Sequence, residues 1–197
     1  MVANIGMGLG DADTISLIDM RAKPLRVVNT VTVPQTPEGL KMSPDGAYVA
    51  VTAMNGSNKP ANSPFFNDFG LLKIFRINGT EMTPVAEARI GHWCQGIAWS
   101  KDSKTILAQC MVENEIATFT FDGKTLTKGA PIAMKVDPAD PTKAVPDDKL
   151  TVIDLKSSPP KVLATLQAGL GAAGVSINRA ATLALVANRS EDRKSVV

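Results

Sequence analysis

A chain of 197 residues is long enough for one domain with a real core, and 44% apolar with 20% charged residues is a globular composition, not a disordered one. The net charge is +2 and the Lys and Arg residues are scattered, so no basic stripe invites nucleic acid. No apolar run approaches the ~20 residues needed to span a bilayer, and the first residues lack the ordered basic, apolar and cleavage regions of a signal peptide.

Met1 to Ile5 reads as the end of a strand, so the chain is expected to begin inside a repeating unit. The strands Thr14–Asp19 and Arg26–Val31 follow as a hairpin. Glu38–Ser43 opens a different hairpin, closed by Ser43-Pro44-Asp45-Gly46 and completed by Tyr48–Thr52. That turn is physically apt: Pro presets φ at the second position, Asp tolerates the third, and Gly takes the left-handed bulge position. A long loop, residues 53–69, then leads to Leu72–Ile77 and the turn Asn78-Gly79-Thr80. The loop is expected to be functional or disordered. Its Phe65, Phe66 and Phe69 suggest that it folds back on the body or contacts a partner; if it folds back, Phe65 and Phe66 should be largely buried.

The same two hairpins return further on. Gln95–Ser100 with Thr105–Gln109 repeats the first kind, and Glu115–Phe121 with Asp122-Gly123-Lys124 repeats the second. Lys149–Asp154 with Val162–Leu166 is another copy of the second, and Ala173–Asn178 with Leu183–Asn188 another of the first. Between them, residues 135–148 hold three prolines and four aspartates, which cannot form a central strand and read as a linker. Asn55, Asn78 and Asn188 fit the glycosylation acceptor pattern, but such residues are ordinary turn formers and are read as turns.

Two hairpins in alternation make a four-stranded blade, so the expected fold is all-β: a β-propeller fragment of antiparallel blades. Residues 1–134 should carry a first partial blade and two complete ones, and residues 149–191 further partial blades. Residues 192–197 match one reading frame of a common sequencing adapter and are expected to be a non-native tail. With too few blades to close a ring, the chain should leave open blade edges through which it self-associates.

Pro37-Glu38-Gly39, Ser43-Pro44-Asp45-Gly46, Val152-Ile153-Asp154 and Val186-Ala187-Asn188 together resemble the repeats of the YVTN and lactonase-like propellers of bacteria, themselves WD40-like in layout. The resemblance implies that Glu38–Ser43, Gln95–Ser100 and Ala173–Asn178 are innermost strands. Gly39, Gly96 and Gly174 would then lie near the central channel, where strands crowd. It also implies an extracytoplasmic (periplasmic or secreted) setting for the longer parent protein.

Candidate site residues follow from that placement. His92, the only histidine, precedes an inner strand and could act as base or ligand together with Glu38; these two are the catalytic candidates. Lys41 and Gln95 join them as ligand-binding candidates at the channel mouth. The acidic and histidine groups expected of a lactone hydrolase are scarce around Glu38 and His92. The favoured expectation is therefore a module binding a small molecule or a protein, with a sugar-lactone hydrolase as the rival. No metal or cofactor is expected: a single His without a ligand pattern, and no Walker, dinucleotide or Cys-x-x-Cys motif, give no ground for one. Finally, Cys94 and Cys110 flank one hairpin. If Ser100 faces Lys104 across its turn, the two cysteines face each other, and a disulfide between them is expected.

Overall fold

The computed structural model describes residues 1–6, 10, 12–133, 149–154, 156–157, 160–169, 171–178, 180, 182–188 and 194–196. The linker expected over residues 135–148 lies outside the described residues, and of the expected tail only residues 194–196 are described. The chain divides into two compact units, Met1–Lys135 and Val136–Val197. Every regular element among the described residues is a strand.

Among the described residues, the first unit holds three antiparallel sheets. Strands β1 (Val2–Asn4), β2 (Asp13–Asp19) and β3 (Arg26–Val33) form the first, in that order. Strands β4 (Pro37–Met42), β5 (Tyr48–Ala53), β6 (Gly70–Asn78) and β7 (Glu81–Ile90) form a complete four-stranded blade. The next blade is β8 (Cys94–Trp99), β9 (Thr105–Cys110), β10 (Glu115–Phe121) and β11 (Leu126–Lys128), with the short β12 (Ile132–Ala133) also on β10. Each blade is a meander of consecutive strands, as the alternating hairpins predict.

Strand β5 shows why the sheets stack. All its residues from Val49 to Ala53 are buried, which a sheet with one wet face could not do. Val49 and Val51 pack with Ile15 and Val33 of the first sheet, while Ala50 packs with Ile106, Ala108 and Phe119 of the third. One blade is thus covered on both faces by its neighbours, the arrangement that defines a propeller.

The inner hairpins share a finer pattern. In β4–β5 the register shifts between Pro37 and Gly39, and in β8–β9 between Cys94 and Gly96, so Glu38 and Gln95 are equivalent bulge residues. The turn of β4–β5 places Gly46 at φ 74°, and Ser103 takes the same place in β8–β9 at φ 60°. Here the structure corrects the expected register. Ser100 N–H donates to the Thr105 carbonyl, so Ser100 faces Thr105 and not Lys104. The bulge at Gln95 absorbs the extra residue and brings Cys94 opposite Cys110 after all.

The second unit holds β13 (Lys149–Asp154) paired with β14 (Lys161–Gln167), and a sheet of β15 (Ala172–Ile177), β16 (Ala184–Asn188) and β17 (Lys194–Val196). The register of β15–β16 shifts between Ala172 and Gly174, the inner-hairpin bulge a third time. β14 is exposed along its whole length.

Candidate functional site

Neighbouring inner strands are stitched together beside the bulges. Thr52, fully buried, accepts the Gly39 N–H (3.0 Å) and donates its own hydroxyl to the Gln95 carbonyl (3.4 Å). A Cβ at Gly39 would collide with the Thr52 hydroxyl and sit 2.5 Å from that carbonyl, so only glycine permits this approach. Further along, the Trp99 indole donates to the Lys41 carbonyl (3.0 Å). Strands β4 and β8 therefore run side by side in the same direction, and their starts lie on one rim. That rim carries Glu38, Gln95 and His92.

His92 stands just before β8, and Glu113 lies in the turn between β9 and β10. The Glu113 carboxylate accepts the His92 backbone N–H at 2.8 and 3.0 Å through its two oxygens, and Oε1 lies 2.6 Å from the His92 ring Nδ1. Gly91 makes the room: a Cβ there would strike the same carboxylate. Burial pushes the Glu113 carboxyl up, but the ring and backbone hydrogen bonds from His92 outweigh it and hold the group below its ordinary range. An ionised Glu113 can only accept from Nδ1–H, so in the neutral ring Nε2 is the nitrogen with the lone pair; both side chains remain partly exposed.

Beside the dyad stands Trp93, with φ 50°, its N–H donating to Ser57 Oγ (3.1 Å) and its carbonyl accepting from Met111 N–H (3.4 Å). The left-handed conformation belongs to the repeat: Thr36 has φ 58° one position before β4, and Gly171 has φ 72° one position before β15. Glycine fills that slot without strain, whereas other residues pay roughly 1–3 kcal/mol.

The sequence-derived candidates do not all converge. Glu38, exposed, and Gln95 share the rim with His92. Lys41 is exposed but lies three residues further along β4, about 10 Å from Glu38 at strand spacing, away from the dyad. Glu113 escaped the sequence reading because it is distant from His92 along the chain. The register signal was there, since the Cys94–Cys110 pairing that joins the hairpin also brings the two flanking turns together. The two cysteines are bonded, S–S 2.03 Å.

The loop of residues 53–69 departs from expectation. Phe65 is 44% exposed and Phe66 half-buried. The loop is held by hydrogen bonds rather than by burying rings: Gln35 Nε2 donates to the Phe65 carbonyl, Asn67 Nδ2 to that of Asn55, and Asn55 Nδ2 to that of Phe69. The Arg89 guanidinium covers the Phe69 ring at 4.0 Å.

The opposite rim carries a cavity of about 460 Å³ lined by Asp45, Asp102 and Asp122. Each of these carboxylates is engaged by hydroxyls and backbone N–H groups of its own turn, which hold it below the ordinary value. They fasten their turns. Among the described residues, no three His, Cys, Asp or Glu side chains gather as a metal would need, and no helix is long and apolar enough to cross a membrane.

No family model matches this chain. No curated protein matches it either. Solved structures do. A periplasmic gluconolactonase of Pseudomonas aeruginosa superposes with a TM-score of 0.66 at 14% identity, over 99% of this chain and 61% of that one. A functionally unknown protein from Desulfotomaculum acetoxidans gives 0.66 at 13%, over 90% and 58%. The β-propeller domain of Myceliophteria thermophila Cps50 (Swd1) gives 0.59 at 9%, over 95% and 64%. The chain is a β-propeller by fold, and it spans less than two thirds of the length of these neighbours.

Proposed function

We propose that the protein hydrolyses a small-molecule lactone at the rim that carries His92, as part of an extracytoplasmic propeller. One observation carries this reading: the Glu113 carboxylate lies 2.6 Å from His92 Nδ1, an arrangement that would orient a neutral ring with Nε2 as the base. The binding-module reading rested on the scarcity of acidic groups around His92, and Glu113 removes that ground. The likeness to a periplasmic gluconolactonase supports both the chemistry and the compartment, and the disulfide supports the compartment.

Nε2 takes a proton from water as the oxygen attacks the lactone carbonyl. The tetrahedral intermediate collapses, the ring C–O bond breaks, and the imidazolium returns the proton to the leaving alkoxide, giving the open hydroxy acid. The chain's own residues supply the base and its orientation; Glu38 and Gln95 offer hydrogen bonds to a polar substrate. A general base of this kind is worth about 10²–10⁴-fold in rate.

The test is proton release from glucono-1,5-lactone at neutral pH, set against spontaneous hydrolysis. The expected result is acceleration that disappears in His92→Ala. A rate equal to the spontaneous one, or a His92→Ala variant as fast as the wild type, overturns the proposal.

A further inference from the structure

Trp93 occupies a backbone slot that the fold does not reserve for it. The residue before each described inner strand adopts a left-handed conformation, and the occupants are Thr36, Trp93 and Gly171. A glycine serves in the third copy, so the fold itself asks only for the conformation. At the second copy a bulky aromatic is strained there, and its ring is not consigned to the core: Trp93 is 39% exposed. The strained backbone is anchored from two sides, by Ser57 Oγ at its N–H and by Met111 N–H at its carbonyl. The ring is thus presented on a fixed stem, adjacent in the chain to His92 and two residues from Gln95.

We propose that Trp93 is a binding platform for the ring of a sugar lactone, a specificity-determining residue for the hydrolysis assigned above; the proposal rests on that reading of the rim. The electron-rich face of an indole attracts polarised C–H groups, which a pyranose-like ring presents on its flat face. The same ring carries hydroxyls at its edge, and the rim supplies a carboxylate (Glu38) and an amide (Gln95) to meet them. A purely apolar ligand would leave those polar groups unpaired. A ring with a C–H face and a polar edge satisfies both kinds of surface.

The experiment separates binding from hydrolysis by using D-glucono-1,5-lactam, which keeps the ring but resists hydrolysis, titrated calorimetrically into the full chain. Trp93→Phe should bind within about threefold of wild type, because a flat face remains, and Trp93→Gly at least tenfold more weakly. Trp93→Gly should also melt within about 3 °C of wild type, because its slot accepts glycine. Lactam binding that depends on Trp93 upholds the platform even if lactone hydrolysis fails, so the two readings fall separately. The proposal is overturned if wild type does not bind the lactam, if Trp93→Gly binds it as well as wild type, or if Trp93→Gly loses binding and melts far lower. Binding of choline in preference to the lactam also overturns it.

Discussion

Glu113 is bound to His92 twice over, by the backbone N–H at 2.8 and 3.0 Å and by the ring Nδ1 at 2.6 Å. The backbone bonds fix where the carboxylate sits, and the ring bond then fixes which imidazole nitrogen carries the proton. Because His92 is the only histidine, its ring nitrogens can be read without ambiguity in ¹⁵N spectra. Neutral His92 should be the Nδ1–H tautomer in wild type and lose that preference in Glu113→Ala. Glu113→Gln, whose amide can no longer accept as a carboxylate does, should slow lactone hydrolysis by at least about tenfold while KM changes little. A wild-type ring protonated on Nε2 would contradict this assignment.

The same contact makes a pH-dependent contribution to stability. The Glu113 carboxyl is held below its ordinary value of 4.5 in the folded chain. A depressed carboxyl stabilises the fold at every pH above its unfolded value, and that contribution is lost as pH falls through the folded value. Urea midpoints measured from pH 7 down to pH 3 should therefore fall more steeply for wild type than for Glu113→Gln. Parallel curves would mean that the dyad adds nothing to the fold.

Thr52 should matter more than its size suggests. Its hydroxyl, with no exposure to water, joins the Gly39 N–H of one blade to the Gln95 carbonyl of the next. Thr52→Val keeps the shape and strands both backbone groups, at a cost of about 1–3 kcal/mol. Thr52→Ser should recover most of the loss. Gly39→Ala, which forces a Cβ against Thr52 and the Gln95 backbone, should be worse than either. Chemical denaturation of the three variants checks the order.

The blades were legible in the sequence because their turn chemistry is local: Ser43-Pro44-Asp45-Gly46 announces its own hairpin, and its partners recur at matching places. The central burial of β5 suits a strand that is apolar from Val49 to Val51 and whose one buried hydroxyl, on Thr52, finds partners in the neighbouring backbone. The dyad was only half legible. His92 could be flagged by its position, but Glu113 reaches it across a paired hairpin, and pairing distance is not sequence distance. The bulges hid for the same reason. Nothing in Glu38, Gln95 or Ala173 marks an extra residue, yet the shift at Gln95 decides which side chains face each other. Aromatic residues in the loop of residues 53–69 suggested burial, whereas polar side chains reaching backbone carbonyls hold it.

Self-association is the expected behaviour of the isolated chain. Val152, Val162, Leu163 and Leu166 of β13–β14 are exposed, as are Val175, Ile177 and Leu185 of β15–β16. A two-stranded sheet with an exposed apolar face is marginal in water, and exposed apolar surface seeks a partner. Light scattering during size-exclusion chromatography should give a mass above the 20.8 kDa of the single chain and rising with concentration. A monomeric mass across a hundredfold concentration range would refute this.

The disulfide between Cys94 and Cys110 should carry a large share of the stability of its blade. It joins the first residue of β8 to the last of β9, 16 positions apart, with both side chains fully buried. Closing a loop of that length restricts the unfolded chain by about 3 kcal/mol on the chain-entropy account. A Cys94→Ala/Cys110→Ala double variant should unfold at correspondingly lower denaturant than the oxidised wild type. Reduced wild type should match the double variant, because two small apolar thiols in the same place fill much the same space. The bond also sits between the turns that bear His92 and Glu113, so the double variant should lose part of the Nδ1–H tautomer preference as well. Thiol counting comes first: protein made under oxidising conditions and denatured without reductant should show no free thiol. Two free thiols there would remove the bond, and a double variant as stable as the oxidised wild type would remove its energetic role.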